Sequence, residues 1–115
     1  MELVVLAMSS SNTLIVLAVS SDEGLKWALR VLSTKSSKSL WLVVDEKTMR
    51  RLSRISIVKT LGERVLVFSG RRVEEFSLRV VALAKPDEVY LCDESGSLEP
   101  VIRLIRLLNV SIREC

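Results

Sequence analysis

Residues 14–45 read LIVLAVSSDEGLKWALRVLSTKSSKSLWLVVD, and the fold follows from how this stretch is divided. Leu14–Val19 is apolar at every position. Successive side chains of a strand point to opposite faces, so an unbroken apolar run needs cover on both. Ser20, Ser21, Asp22 and Glu23 then interrupt the run, with Ser20 and Glu23 at capping-box spacing. Leu25, Ala28, Leu29 and Leu32 follow at i, i+3, i+4 and i+7, the stripe of one helix face. A second apolar run, Leu40–Val44, closes the unit. Strand, helix and strand in this order predict parallel pairing through a right-handed crossover.

The pattern continues downstream. Val65–Phe68, Val89–Cys92 and Val110–Arg113 are further strand-like runs. In the last of them Val110 and Ile112 alternate with Ser111 and Arg113, which suits a half-wet edge strand. Between the runs lie three helical stretches. The first spans about Glu46–Leu61, with Met49, Leu52, Ile55, Val58 and Leu61 recurring every third residue and Gly62 just beyond. The second, about Val73–Ala84, carries Val73, Phe76, Val80 and Leu83 and stops before Pro86. The third, about Leu98–Leu108, carries Leu98, Val101, Ile102, Ile105 and Leu108, with Glu99 and Arg103 paired at i,i+4 outside.

Upstream, Leu3–Met8 is one more apolar run, joined to Leu14 only by Ser9–Thr13. That link is too short for a crossover, so an antiparallel hairpin strand is expected. LVVLAMSSSNTL and LIVLAVSSDEGL stand eleven residues apart, a likeness that two strands drawing on the same apolar residues explain. The expected architecture is a single α/β domain over residues 1–115. It is a Rossmann-like three-layer sandwich of order ββ(αβ)₄, mostly parallel, with an antiparallel N-terminal strand.

Composition bounds the function. The chain of 115 residues is 49% hydrophobic and 27% charged, an ordinary globular balance. Its apolar runs fall short of the ~20 residues of a bilayer span, and Met1-Glu2 is no cationic signal start, so no membrane and a cytoplasmic setting are expected. Absent Gln, only Asn12 and Asn109 as Asn, and many arginines suggest a hyperthermophile. The absence of His excludes Ser-His-Asp and Cys-His catalysis within this chain. Cys92 and Cys115 are the two cysteines. Two thiols make no structural zinc site. The ordinary intracellular expectation is a reduced pair, but both close neighbouring strands, so a disulfide between them is geometrically allowed.

In an open α/β sheet, ligands bind beyond the carboxyl ends of the strands. The polar clusters there are Ser20–Glu23, Asp45, Ser69–Arg72 and Asp93–Ser97. Ser69, Gly70, Arg71 and Arg72 combine a close-approach glycine, a helix start and two guanidiniums, a set suited to phosphate or carboxylate. A Ser N-cap, a flexible glycine and two solvated arginines, with Glu74 and Glu75 near enough to pair with them, are the more economical account. Asp93, Ser95, Gly96 and Ser97 suit an anion nest, or a loop in which Ser97 caps the next helix. Asp45 and Asp93 offer a weak Mg²⁺ alternative.

The leading expectation is a non-catalytic domain binding a phosphate-bearing or other anionic small molecule. Its site residues are Ser20, Ser21, Ser69–Arg72, Asp93 and Ser95–Ser97, and no cofactor is called for. Lys47, Arg50, Arg51 and Arg54 form a basic stripe on the second helix, which makes nucleic acid the second partner class, in keeping with a net charge of +3. Assembly through an edge strand, as a homo-oligomer or with a protein partner, is the third reading. A small Mg²⁺-dependent phosphoryl hydrolase is the fourth.

Overall fold

The computed structural model describes residues 12–35 and 39–115. In chain order its elements are β1 (Thr13–Ala18), α1 (Asp22–Thr34), β2 (Leu40–Asp45), α2 (Glu46–Leu52), α3 (Ser56–Leu61), β3 (Val65–Phe68), α4 (Val73–Ala84), β4 (Glu88–Asp93), α5 (Glu99–Ile105) and β5 (Ser111–Glu114). A 3₁₀ turn, Gly62–Arg64, leads into β3.

The five strands form one sheet of order β3-β2-β1-β4-β5. Every pairing is parallel. β1 is central and buried along its whole length, as its apolar run requires. Its side chains divide the core by alternation. Leu14 and Val16 face α4 and α5 with Val43, Leu66, Val80, Val89, Val101 and Ile105. Ile15 and Leu17 face the other layer with Ala28, Leu32, Leu42, Val44, Leu52 and Val58. The chain therefore winds outward from β1 to β3, then returns past β1 to β4 and continues to β5. Helices cover both faces, and no helix among the described residues is long and apolar enough to cross a membrane.

Several expectations are corrected. The run Leu3–Met8, predicted as an antiparallel strand, lies outside the described residues, and the described sheet has no antiparallel member. The helix expected over Glu46–Leu61 is two helices separated at Ser53–Ile55, where Ile55 turns extended (ψ 127°). A three-residue apolar period drifts around a 3.6-residue helix. The break resets the phase, so Leu52, Val58 and Leu61 are all buried. The last helix is shorter than expected and ends at Ile105.

The expected edge strand is at the edge, with Ser111, Arg113 and Glu114 exposed. The i,i+4 pair Glu99–Arg103 is present at 3.7 Å. Cys92 and Cys115 are bonded, with Cα atoms 5.2 Å apart, so the expectation of two reduced thiols does not hold. Parallel neighbours bring both residues to one end of the sheet, and the Cys115 amide donates to the Leu91 carbonyl at 3.0 Å.

Candidate functional site

The carboxyl edge is organised by three loops. Where β1 ends, Val19 N–H donates to Thr48 Oγ1 at 3.0 Å, which holds the chain extended one residue beyond the expected cap. Ser21, not Ser20, therefore caps α1, its Oγ accepting from Gly24 N–H at 2.9 Å. The free amides of this turn form a small anion nest, and the chain fills it itself. Glu94, from the loop after β4, accepts from Ser20 N–H at 2.7 Å and Ser21 N–H at 2.9 Å through Oε1. Its Oε2 accepts from Ser21 Oγ at 2.6 Å. These bonds, led by the Ser21 hydroxyl, hold the Glu94 carboxyl below its ordinary range.

The loop after β4 crosses the end of β1 in doing so, with Glu94 and Ser95 amides donating to the Ala18 carbonyl at 2.9 and 3.3 Å. The strand order reverses between β1 and β4, where doubly wound sheets leave their ligand crevice. Here that crevice is closed by the protein's own loop. Ser20 and Ser21 are occupied by Glu94 and are not open donors.

Asp45 ends β2 and caps α2, Oδ1 accepting from Thr48 N–H at 2.9 Å. Its Oδ2 accepts from Ser97 Oγ at 2.8 Å, and Ser95 Oγ donates to Ser97 Oγ at 3.0 Å. Burial works against ionisation of Asp45, but hydrogen bonds from Thr48 and Ser97 outweigh it and keep the carboxyl low. Asp93 is shifted the other way. Burial raises it, and neighbouring Asp45 and Glu99 add to the effect, against hydrogen bonds from the Leu98 and Gly96 amides. Those amides approach Asp93 Oδ1 at 3.4 and 3.1 Å. Asp93 thus does the work expected of Ser97, since Leu98 is the N-cap of α5 and has no side-chain bond of its own.

Both oxygens of Asp45, and one of Asp93, are engaged by protein donors. Among the described residues no cluster of three or more His, Cys, Asp or Glu is placed to hold a metal ion. The Mg²⁺ alternative gains nothing from this arrangement.

Among the described residues two clefts open on this edge: one of about 260 Å³ lies over the ends of β4 and β5 against Asp93, Glu94, Glu114 and Cys115, and the other lies on the opposite side of β1. This second cleft, of about 410 Å³, sits over the ends of β2 and β3, lined by Asp45, Glu46, Lys47, Arg50, Phe68, Ser69, Gly70, Ser95 and Ser97. Ser69 and Gly70 line it together with Ser95 and Ser97. Arg71 and Arg72 do not line it. The chain turns through Gly70 (φ 88°) and Arg72 (φ 50°), so α4 begins at Val73, four residues beyond Ser69, and Ser69 is not its cap. Both arginines line a separate depression with Glu75, Phe76 and Arg79, and Arg72 stands 3.7 Å from Glu75.

The cations of the cleft come from the basic stripe instead. That stripe is divided. Lys47 and Arg50 line the cleft, while Arg51 donates to the Ser20 carbonyl at 2.9 Å and Arg54 falls in the break between α2 and α3. Thr48, and Glu46 and Phe68 of the cleft, are not singled out by the sequence, and Glu94 is grouped there with the Asp93–Ser97 loop without a role of its own. Two unsatisfied turn amides signalled the need for an acceptor, but Glu94 is more than seventy positions away in the chain.

Neither a protein-family model nor any curated protein matches this chain.

Proposed function

We propose that this chain is a non-catalytic α/β binding domain that takes an anionic, phosphate-bearing small molecule in the cleft over β2 and β3. The observation that carries the reading is the cleft's composition. Lys47 and Arg50 supply positive charge beside the carboxylates of Asp45 and Glu46, Ser69 supplies a hydroxyl, and Gly70 lets backbone approach, while the Ser95 and Ser97 protons are given to Ser97 and Asp45. A volume of about 410 Å³ is within the range of small-molecule sites. The ligand is not held as a dinucleotide is in doubly wound folds, because the nest after β1 already holds Glu94. Nucleic acid stays the second reading, since Arg51 is drawn to the Ser20 carbonyl and Arg54 falls in the break after α2, so that of the basic stripe Lys47 and Arg50 line the cleft.

Differential scanning fluorimetry against inorganic phosphate, pyrophosphate and nucleoside mono-, di- and triphosphates tests it. At a hundredfold excess over its dissociation constant a ligand of the folded state adds about 2.7 kcal/mol. The expected result is stabilisation by at least one phosphate-bearing compound, lost in Lys47→Ala and Arg50→Ala. No stabilisation by any of them, or stabilisation unchanged in both variants, overturns the reading.

A further inference from the structure

The outer surface of the α4–α5 layer is unlike the rest of the molecule. Among the described residues four large hydrophobic side chains are exposed, and three belong to this layer or its end: Leu78 (68%), Leu83 (43%) and Leu107 (79%). A groove of about 370 Å³ runs between the two helices, lined by Val73, Glu74, Leu78, Pro100, Arg103 and Leu104. Pro100 and Leu104 stand at i and i+4 on α5, and Leu107 follows in the turn beyond its end. Contiguous apolar surface rimmed by charge marks an interaction site, whereas scattered exposed leucines do not.

The charges at its rim select the occupant. Glu74 lies on the α4 side and has no ion pair among the described residues. Arg103 lies on the α5 side, where its one ion pair among the described residues, with Glu99 at 3.7 Å, leaves most of its five donors unused there. Each wall therefore carries the charge that complements the opposite wall. Both helices follow a parallel strand on the same face of the sheet, so they run in the same direction. A twofold axis along the groove lays α4 of one copy on α5 of the other. It sets Glu74 against the second copy's Arg103, twice, with Leu78 entering the second copy's groove. That is the self-complementarity an isologous dimer requires.

The sheet edges are poorer surfaces for self-pairing. β3 and β5 have four residues each, and β5 exposes Arg113 and Glu114. We propose that the α4–α5 face binds a second copy of this chain, as a twofold dimer closed by Leu78 and by reciprocal Glu74–Arg103 pairs. The proposal is independent of the cleft.

Light scattering after gel filtration and sedimentation equilibrium of the full chain, over a dilution series, test it. Two short helices present a small interface, so a dimer that dissociates on dilution is expected. Leu78→Asp, at an exposed position, should leave the circular dichroism unchanged and raise the dimer dissociation constant roughly thirtyfold or more. Glu74→Arg and Arg103→Glu should each raise it about tenfold, and the two together should restore dimerisation. A monomeric wild type at about 1 mM overturns the proposal. So does a dimer that Leu78→Asp leaves intact, or a double charge swap that restores nothing.

Discussion

Gly24 stands in the first turn of α1 with the Glu94 carboxylate directly over it, where a Cβ would be. Alanine inside a helix ordinarily gains about 1 kcal/mol over glycine. Here the added methyl displaces Glu94 from Ser20 and Ser21. Gly24→Ala is therefore expected to give no gain in wild type but about 1 kcal/mol in a Glu94→Ala background. Urea titration of the four proteins measures this, and equal effects in both backgrounds would refute the contact. Asp93 makes a second prediction with a definite sign. Its folded carboxyl is raised, first by burial, so at neutral pH its charge costs stability, and the cost disappears as pH falls through the raised value. Asp93→Asn keeps an acceptor for the Gly96 and Leu98 amides. Its thermal midpoint should match or exceed wild type at pH 7, with the difference shrinking as pH falls through the raised value and gone below the ordinary aspartate value of about 3.9. Asp45 and Glu94, whose carboxyls are lowered, act in the opposite sense. Their contribution is present above the usual carboxylate range and is lost as pH falls through their depressed values.

At the scale of the element, β5 is the least supported strand. Among the described residues it pairs with β4 alone, and Ile112 is its one apolar side chain, only partly buried. The Cys92–Cys115 bond compensates by closing a loop across 23 residues. Chain-entropy reasoning gives such a loop about 3 kcal/mol. Reduction should lower the unfolding free energy by about that amount, and amide exchange should quicken first in Ser111–Glu114. Unchanged protection in β5 after verified reduction would count against this role. The sequence allowed the bond once β4 and β5 were read as parallel neighbours, yet composition and compartment argued for free thiols. Cysteine count carries no geometry, and here register decided. The second helix shows the converse. The every-third-residue stripe from Met49 to Leu61 was visible from the start, along with the β-branched Ile55, Ile57 and Val58. That the chain resolves the drift by breaking at Ser53–Ile55 followed from burying Leu52, Val58 and Leu61 together.

For the whole molecule, both faces of β1 belong to one cooperative structure. Leu14 packs under α4 and α5, and Leu17 under α1 to α3. Each Leu→Ala substitution should cost about 2–5 kcal/mol. Because the layers share one sheet, both should shift a single unfolding transition. Two separable transitions in calorimetry, each moved by only one substitution, would show instead that the layers melt apart. The same winding explains where the clefts lie. The reversal between β1 and β4 is spanned by the β4–α5 loop, which leaves clefts to either side of it, over the ends of β2 and β3 and over those of β4 and β5.

The amino-acid sequence alone determined the class of fold, most strand and helix positions, the carboxyl-edge loops and the exclusion of His-based chemistry, because hydrophobic period and residue type are local properties. It did not reveal the partner of each polar group. Ser20 and Ser21 read as open donors until tertiary structure brought Glu94 to them, and Arg71 and Arg72 read as a clamp until Gly70 and Arg72 turned them out of the cleft. Residues 14–45 dictated a buried strand, a helix and a second strand. Which amides at their ends are already satisfied depended on loops meeting from distant parts of the chain, and no local pattern encodes that.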